Sequence, residues 1–404
     1  MQKKIKNDSS NSTPAKKNYF ASLSDRYSKA SHILYMSLLV CFVLTLMFNS
    51  RVLTYNNFSY LLRDLDAAAE LASENYNSIS YTNNDSRVTK YFRGGVITAS
   101  TNDVAIYTAT GRKTLHINQS FVSPEIASSK KYAIVYDLGG NNYSIYNSFT
   151  KVHSNETDYP ISYIAAADNG WYAVVSKDAE HSSVVCLYDN DFKPRATYSF
   201  AKGYVFSVSI NGNGTRIAII SVSAGERGNE FSLRLKLCEL GTSNVLCDEE
   251  ISRGLPLGIS FNSEGFLQVL CTDSICLFNE DDGVLYSRQI FDSNKIVKSS
   301  VNEYGCVTAF NSNDGGTSNT IIVFDKKGKM LYNEPIIGSV LDVEIYDKYL
   351  FVNQGDSILR VDLSNKRASG TPIYDKGEDI IVYNAGNVLL CCSTKAKYID
   401  IGGN

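Results

Sequence analysis

The chain has 404 residues, 44% of them hydrophobic and 20% charged, so it is long and apolar enough for a large core and is not disordered as a whole. Tyr is common (27 residues) and Pro rare (7), which favours strands and turns and excludes a Pro-rich stalk. Residues 1–31 hold seven Lys/Arg against two Asp, whereas the remainder holds 32 Lys/Arg against 40 Asp/Glu. An acidic remainder lacks the basic face that nucleic acids require, so we expect no nucleic-acid partner.

The first predicted element is a transmembrane helix at residues 32–50. No charged residue lies between Lys29 and Arg51, and most residues from Ile33 to Phe48 are Leu, Ile, Val or Phe. As a helix this gap spans roughly 30 Å, the thickness of a bilayer core. The basic tail, residues 1–31, is predicted to be disordered and cytoplasmic, which places the C-terminal bulk outside the cell membrane. A cleaved signal peptide is the alternative; because no A-x-A pattern follows, an uncleaved signal-anchor is favoured.

A juxtamembrane helix is predicted at residues 51–76. Apolar side chains from Phe58 to Ala72 recur at helical spacing and form a one-sided stripe. This stripe belongs either to a spacer or dimerisation helix or to a helix that docks on the domain that follows.

From residue 77 to residue 404 the sequence changes to short β-rich runs separated by Gly, Asn, Asp and Ser turns. One hairpin recurs eight times, and a second turn lies in phase between the copies. The eight copies begin at residues 106, 144, 186, 236, 276, 322, 359 and 397. A four-stranded unit of about 40 residues is the blade of a β-propeller.

The fold class is therefore all-β, an extracytoplasmic β-propeller of eight blades, with seven blades, a twisted sandwich or two β domains as alternatives. The last unit offers only three strands, and an open ring would leave a blade face unburied. We expect an N-terminal strand to close the ring, either residues 78–82 or residues 87–92.

The repeats resemble those of the WD40-like and quinoprotein-like (PQQ-like) propellers. The resemblance rests on Tyr188-Asp189, on 324–329, on Val361-Asp362 and on the hairpin at 209–217. The whole plan also resembles an uncharacterised bacterial family that joins a basic tail, one anchor and a propeller. The Gly-His and Trp-Asp pairs of WD40 repeats are absent, and quinoprotein blades dock through repeated Trp whereas this chain has only Trp171. The resemblance thus implies a fold and a location, and no cofactor is predicted.

No residue is predicted to be catalytic, cofactor-binding or metal-binding. The four histidines stand alone in the sequence at 32, 116, 153 and 181, without metal-ligand spacing. Acidic turns at 189–191, 280–283 and 313–316 lack a calcium-loop pattern and suit tight turns. The glycine pairs at 94–95 and 139–140 are not in the strand-to-helix context of a phosphate-binding loop.

Two pairs among the nine cysteines flank hairpin turns, Cys238 with Cys247 and Cys271 with Cys276. In each pair the two residues could lie directly opposite and form a disulfide. We favour buried thiols that pack as small apolar residues, as for the adjacent Cys391 and Cys392.

A ring-shaped platform, a membrane tether and the lack of a catalytic signature favour a non-enzymatic binding or scaffold module. Its expected partners are the membrane, as a single-pass integral protein, and a protein or cell-envelope component. The alternative is an envelope-acting hydrolase or lyase with its site in the propeller funnel, which requires converging carboxylates and His with shifted pKa values.

Overall fold

The structure is a computed structural model that describes residues 14–48, 76–81, 87–225, 231–242, 244–252, 254–291, 295–311 and 318–402. Its one described helix, α1, runs from Pro14 to Phe48. The stretch Ser22–Leu44 is long and apolar enough to cross a membrane, and none of it is buried. The predicted juxtamembrane helix falls, apart from Tyr76, outside the described residues.

Helix α1 begins earlier than expected, and this corrects the prediction that the tail is disordered up to residue 31. Residues 14–31 are helical because nothing between Ala15 and Phe48 is Gly or Pro, and Pro14 stands at the first turn, where its missing N–H costs nothing. An Asp25–Lys29 ion pair of 2.8 Å supports the added turns.

The β-rich part forms eight four-stranded antiparallel sheets, which confirms the eight-bladed propeller. Within each blade the strands are called A to D from the innermost to the outermost. Blades 1 to 4 comprise β2 (Val88–Phe92), β3 (Gly95–Ala99), β4 (Asp103–Tyr107), β5 (Lys113–Asn118); β6 (Pro124–Ser128), β7 (Ala133–Asp137), β8 (Asn142–Tyr146), β9 (Lys151–Glu156); β10 (Tyr163–Ala166), β11 (Tyr172–Ser176), β12 (Ser183–Tyr188), β13 (Pro194–Phe200); and β14 (Tyr204–Ile210), β15 (Arg216–Ala224), β16 (Phe231–Glu239), β17 (Val245–Ser252).

Blades 5 to 8 continue the same order. They comprise β18 (Pro256–Phe261), β19 (Phe266–Cys271), β20 (Ser274–Asn279), β21 (Leu285–Ile290); β22 (Ile296–Asn302), β23 (Gly305–Asn311), β24 (Ser318–Asp325), β25 (Met330–Ile337); β26 (Asp342–Tyr346), β27 (Tyr349–Asn353), β28 (Ser357–Asp362), β29 (Arg367–Pro372); and β30 (Gly377–Val382), β31 (Asn387–Cys392), β32 (Lys395–Asp400) with β1 (Ile79–Ser80). The eight recurring copies are the hairpins of strands C and D, the last of them ending the chain at strand C.

The inner strands are continuous apolar runs rather than alternating apolar and polar residues, and strand B shows the reason. Each blade face packs on a neighbouring blade, so both faces of strand B are covered. Strands β3 and β7 are buried at every residue, whereas the outermost strand β29 is exposed at nearly every residue. One apolar cluster fills each of the eight junctions between consecutive blades, including the junction of blade 8 with blade 1.

The ring closes as predicted, through the first of the two expected N-terminal strands. Ile79 pairs with Ala396 and Ser80 with Lys395, which makes β1 strand D of blade 8. Ile79 is fully buried between blades 8 and 1, and Tyr76 stacks on Tyr398 with ring centroids 5.0 Å apart. The second candidate, residues 87–92, instead supplies strand A of blade 1.

Candidate functional site

The antiparallel blades give the propeller two chemically different faces. The turn face carries the A–B and C–D turns, and the junction face carries the connections from strand D of one blade to strand A of the next, with the B–C turns. The chain enters the propeller on the turn face, because Tyr76 accepts a hydrogen bond from Asn384 in the A–B turn of blade 8 (3.1 Å).

Asparagine side chains fix the A–B turns of the turn face. The Asn211 Oδ1 accepts the backbone N–H of Thr215 at 2.8 Å and that of Arg216 at 3.0 Å. Asn262 and Asn302 cap their own turns in the same way. Each turn therefore has a defined backbone, and its remaining side chains point from fixed positions.

A cavity of about 1010 Å³ opens at the turn-face end of the central channel. Its walls come from blades 1 to 6, mainly from the ends of strand A and the A–B turns. They are lined by Tyr91, Arg93, Gly94, Ser128, Ser129, Lys130, Ala166, Ala167, Asp168, Ser209, Ile210, Asn211, Gly212, Asn213, Ser260, Phe261, Asn262, Ser263, Gly265, Glu280, Val301, Asn302 and Glu303. The volume matches that of small-molecule sites, about 300–1,000 Å³.

An ion pair lies on the blade 2 side of this cavity. The Lys130 Nζ lies 2.8 Å from an Asp168 oxygen, and the Lys130 backbone N–H donates to the other Asp168 oxygen at 3.0 Å. The hydrogen bond and charge of Asp168 raise the pKa of Lys130, and Glu303 adds to this effect. Lys130 thus stays cationic at the cavity mouth.

A second polar cluster lies on the channel strands of blades 6, 7 and 8. Glu344 accepts hydrogen bonds from the Asn302 amide at 2.5 Å and from the Ser300 hydroxyl at 3.1 Å. Burial raises the pKa of Glu344 to about 7. Lys298 lies 3.4 Å from Asp342 and 3.1 Å from Asp379, so it bridges three blades.

These contacts bear on the hydrolase or lyase alternative, which requires carboxylates and histidine together. The channel supplies carboxylates with raised pKa values, since burial also raises the pKa of Asp342. Both Glu344 oxygens already accept hydrogen bonds from blade 6, so this carboxylate ties two blades together. The histidines, all four of them described, lie elsewhere.

The histidines have separate local partners. His32 is in α1 and bonds the Ser28 carbonyl, His116 bonds Asp103, and His181 bonds Asp178. His153 stacks on Phe192 with ring centroids 4.6 Å apart. Among the described residues, no three His, Cys, Asp or Glu side chains form a metal-binding group.

The acidic turns and the glycine pairs of the sequence serve turn geometry. Asp189 accepts the backbone N–H groups of Asp191 and Lys193 and pairs with Arg195. Asn313–Gly316 lie outside the described residues. Gly94 has a positive φ of 78° in a two-residue turn, and a Cβ at Gly95 would collide with the Tyr107 carbonyl oxygen.

None of the nine cysteines, all of which the structure describes, is in a disulfide, and their register differs from the directly opposed pairs that a disulfide would use. Cys247 lies opposite Leu237, because a bulge shifts the register beside Cys238. Cys238 and Cys247 consequently pack into the clusters on opposite faces of blade 4. Cys276 lies opposite Val269, and Cys271 pairs with Pro256 of strand A.

The junction face differs from the turn face in its exposed apolar side chains. The five most exposed large apolar residues among the described part of the propeller are 72 to 90% accessible, and all five lie on this face. They end strand D, start strand A or lie between the two: Val122, Tyr204, Ile290, Ile337 and Tyr374. With Leu255, the last four form an arc over the consecutive junctions from blades 3 and 4 to blades 7 and 8.

Sequence reasoning missed the residues of both faces. Arg93 and Lys130 belong to no sequence motif. Their A–B turns also lack the turn-residue pattern that identifies the six later A–B turns in the sequence. The one available signal was the glycine pair after Arg93, which marks a hairpin turn. The exposed apolar residues are indistinguishable from core residues until the strand ends are placed.

Solved structures confirm the propeller fold and, at these identities, show the fold alone. The chain is similar to the computationally designed Ika8 protein (TM-score 0.59, 12% identity, 80% of this chain and 99% of that one). It is similar to BamB from Moraxella catarrhalis (TM-score 0.54, 10% identity, 81% and 99%). It is also similar to Chaetomium thermophilum Sqt1, solved bound to the N-terminus of ribosomal protein L10 (TM-score 0.56, 11% identity, 80% and 98%).

Sequence comparison gives the family. The chain matches no curated protein. Residues 72–400 match a family of unknown function, DUF5711, over the closing strand and all eight blades. This span exceeds half of the chain and agrees with the resemblance to an uncharacterised propeller family. The chain therefore belongs to the family of unknown function DUF5711.

Proposed function

We propose that the chain is a membrane-anchored, extracytoplasmic binding or scaffold module that docks a protein partner on its junction face. The single observation that carries the proposal is that the five most exposed large apolar side chains of the described propeller share this face. Scattered apolar residues are ordinary on a protein surface, but their concentration on one face is typical of an interaction site.

The membrane part of the proposal rests on α1 and its charges. Leu, Ile, Val, Phe and Met side chains in the span Ser22–Leu44 are exposed around the helix, which is unfavourable in water and favourable in lipid. Five Lys precede the span, Arg26 and Lys29 lie near its start, and an acidic domain follows it. The positive-inside rule then supports a cytoplasmic N-terminus and an extracytoplasmic propeller.

The position of chain entry supports the choice of face. Tyr76 joins the propeller on the turn face, so the junction face is at the far end of the domain from this attachment. The arc from Tyr204 to Tyr374 crosses five consecutive blade junctions and includes two tyrosines, which are enriched at protein interfaces.

Site-specific photo-crosslinking in intact membranes tests the docking face. A photoreactive phenylalanine replaces Ile337 or Tyr374 on the junction face, or Val284, which is 60% exposed in a turn of the turn face. We expect one protein, identified by mass spectrometry, to be captured at Ile337 and Tyr374 and not at Val284. Its capture should fall at least about tenfold when Tyr374 carries the probe and Ile337→Lys is added.

Equal capture at Val284, or no protein captured at either junction-face position, would refute the proposed docking face. Ile337 is almost fully exposed, so Ile337→Lys should change the free energy of unfolding by less than about 0.5 kcal/mol. Urea unfolding of this variant therefore separates lost docking from lost folding.

Cysteine labelling tests the membrane topology independently. Ser364→Cys adds an exposed thiol in a turn of blade 7, and Ser10→Cys adds one in the basic tail. We expect a membrane-impermeant maleimide to label the first variant on intact cells and the second only after lysis, relative to the native chain. The reverse pattern would place the propeller in the cytoplasm.

A further inference from the structure

The cavity at the turn-face end of the channel has a cationic side and an anionic side. Arg93 of blade 1 and Lys130 of blade 2 are the cations of one side, where Lys130 is paired with Asp168 of blade 3. Glu280 of blade 5 and Glu303 of blade 6 form the opposite, anionic side. Blades 2 and 6 are diametrically opposite in an eight-bladed ring. Glu303 nevertheless adds to the electrostatic effect that raises the pKa of Lys130.

Arg93 occupies a conformation that its residue type disfavours. It has a φ of 49° in the two-residue turn between Phe92 and Gly95, where Asn or Gly is the usual residue. A left-handed conformation is unfavourable for a non-glycine residue of this type. Burial also lowers the pKa of Arg93, so its guanidinium is partly removed from water. A strained, partly desolvated cation at a cavity wall indicates a role beyond closing the turn.

We propose that this cavity binds a short zwitterionic peptide, with its carboxylate towards Arg93 and Lys130 and its ammonium group towards Glu280 and Glu303. Charge-assisted hydrogen bonds to both ends would recognise such a ligand, and Ser128 and Ser209 on the walls would bond its amides. An anionic ligand would meet repulsion from Glu280 and Glu303, and a cationic ligand would meet repulsion from Arg93. This site is separate from the proposed protein docking on the junction face and goes beyond it.

Calorimetric titration of the full chain in detergent tests the ligand class. The probe is a pool of tripeptides with free ends, and the comparison pools are amidated, acetylated, or blocked at both ends. We expect saturable binding of the free pool, with binding at least about tenfold weaker for each singly blocked pool and weaker still for the doubly blocked pool. Equal binding of the blocked and free pools, or no saturable binding of the free pool up to millimolar concentration, would overturn the proposal.

Arg93→Asn tests the strained cation, because Asn accepts the left-handed conformation and removes the charge. We expect at least about tenfold weaker binding of the free pool and a thermal midpoint no lower than that of the native chain. The matched control is Asp347→Asn, at the left-handed residue of the corresponding turn in blade 7, outside the cavity wall. Asp347→Asn should bind like the native chain. Native affinity in both Arg93→Asn and a second variant, Lys130→Gln, would refute the cationic subsite.

Discussion

The turn face and the junction face are built from the same repeat but are constrained differently. Hairpin turns need Asn, Asp and Gly for their backbone conformation, so the turn face is polar because of its geometry. Asn211 and Asp189 show this, since their side chains bond the backbone of their own turns. The connections between blades have no such requirement, and the most exposed large apolar side chains of the described propeller lie in or beside them.

The difference between the two faces identifies the residues that folding alone does not explain. On the turn face most polar side chains are explained by the turns, and Arg93 stands out because it opposes the turn it occupies. On the junction face the exposed apolar side chains are the exception, since exposure of Tyr374 and Ile337 contributes nothing to the core. The candidates for function are therefore the residues that the local structure of each face does not require.

The largest expected effect comes from opening the ring that holds the two faces apart. Ile79→Asp places an unpaired charge in the buried junction of blades 8 and 1, and should lower the free energy of unfolding by about 4 to 5 kcal/mol. Urea unfolding monitored by tyrosine fluorescence measures the loss. Ser80→Asp, at the exposed neighbouring residue of the same strand, is the matched control and should change little. Similar losses in both variants would mean that β1 does not seal the ring.

A smaller loss of folding stability is expected on the junction face, where a buried ion pair joins the start of blade 1 to its B–C turn. Asp103 bonds Arg87, whose side chain is only 1% exposed, and Ser100. Asp103→Asn leaves this guanidinium buried without a charged partner and should cost about 3 kcal/mol at neutral pH. The exposed junction-face variant Asp158→Asn should cost less than about 0.5 kcal/mol.

The pH dependence of this loss has a defined sign. Burial favours a higher pKa for Asp103, but hydrogen bonds from Arg87 and Ser100 outweigh it and lower the pKa below the ordinary 3.8. The ionised carboxylate therefore stabilises the fold above pH 3.8, and this contribution disappears as the pH falls through the lowered value. The difference between native chain and Asp103→Asn should shrink below pH 4. A difference that stays constant down to pH 2 would contradict the ion-pair explanation.

The sequence predicts the fold well because its signals are local. The C–D hairpins are recognised from turn residues and apolar strands a few positions apart, and the missing fourth strand of the last unit follows from counting. The choice of closing strand stayed open because Ile79 pairs with Ala396, and no local pattern records that pairing. The helical start at Pro14 differs from the prediction, because basic charge favours disorder whereas the segment after Pro14 lacks helix breakers.

The candidate sites could not be predicted in the same way. The cavity wall joins turns from six blades, and Lys130 and Glu303 line the same cavity only because the ring places opposite blades around one channel. The ionisation of Glu344 likewise depends on burial against Asn302 and Ser300 of another blade. Such properties arise from the closed ring and have no counterpart in the local sequence.

The smallest expected effect is on the channel side, at Glu344, and its pH dependence is opposite to that of Asp103. Burial and the nearby Asp342 raise its pKa from 4.5 to about 7, against the opposing influence of Asn302 and Lys90. The folded chain therefore binds more protons than the unfolded chain between these values, and stability falls as the pH rises from 4.5 through 7. Glu344→Gln keeps an acceptor for Asn302 and removes the charge. It should be about 1 to 2 kcal/mol more stable than the native chain at pH 8 and nearly equal at pH 4.5. Urea unfolding at both pH values, with the exposed Glu378→Gln as control, measures this gain. A loss of stability at pH 8 would show that the ionised carboxylate stabilises the junction of blades 6 and 7, and would contradict the raised pKa of Glu344.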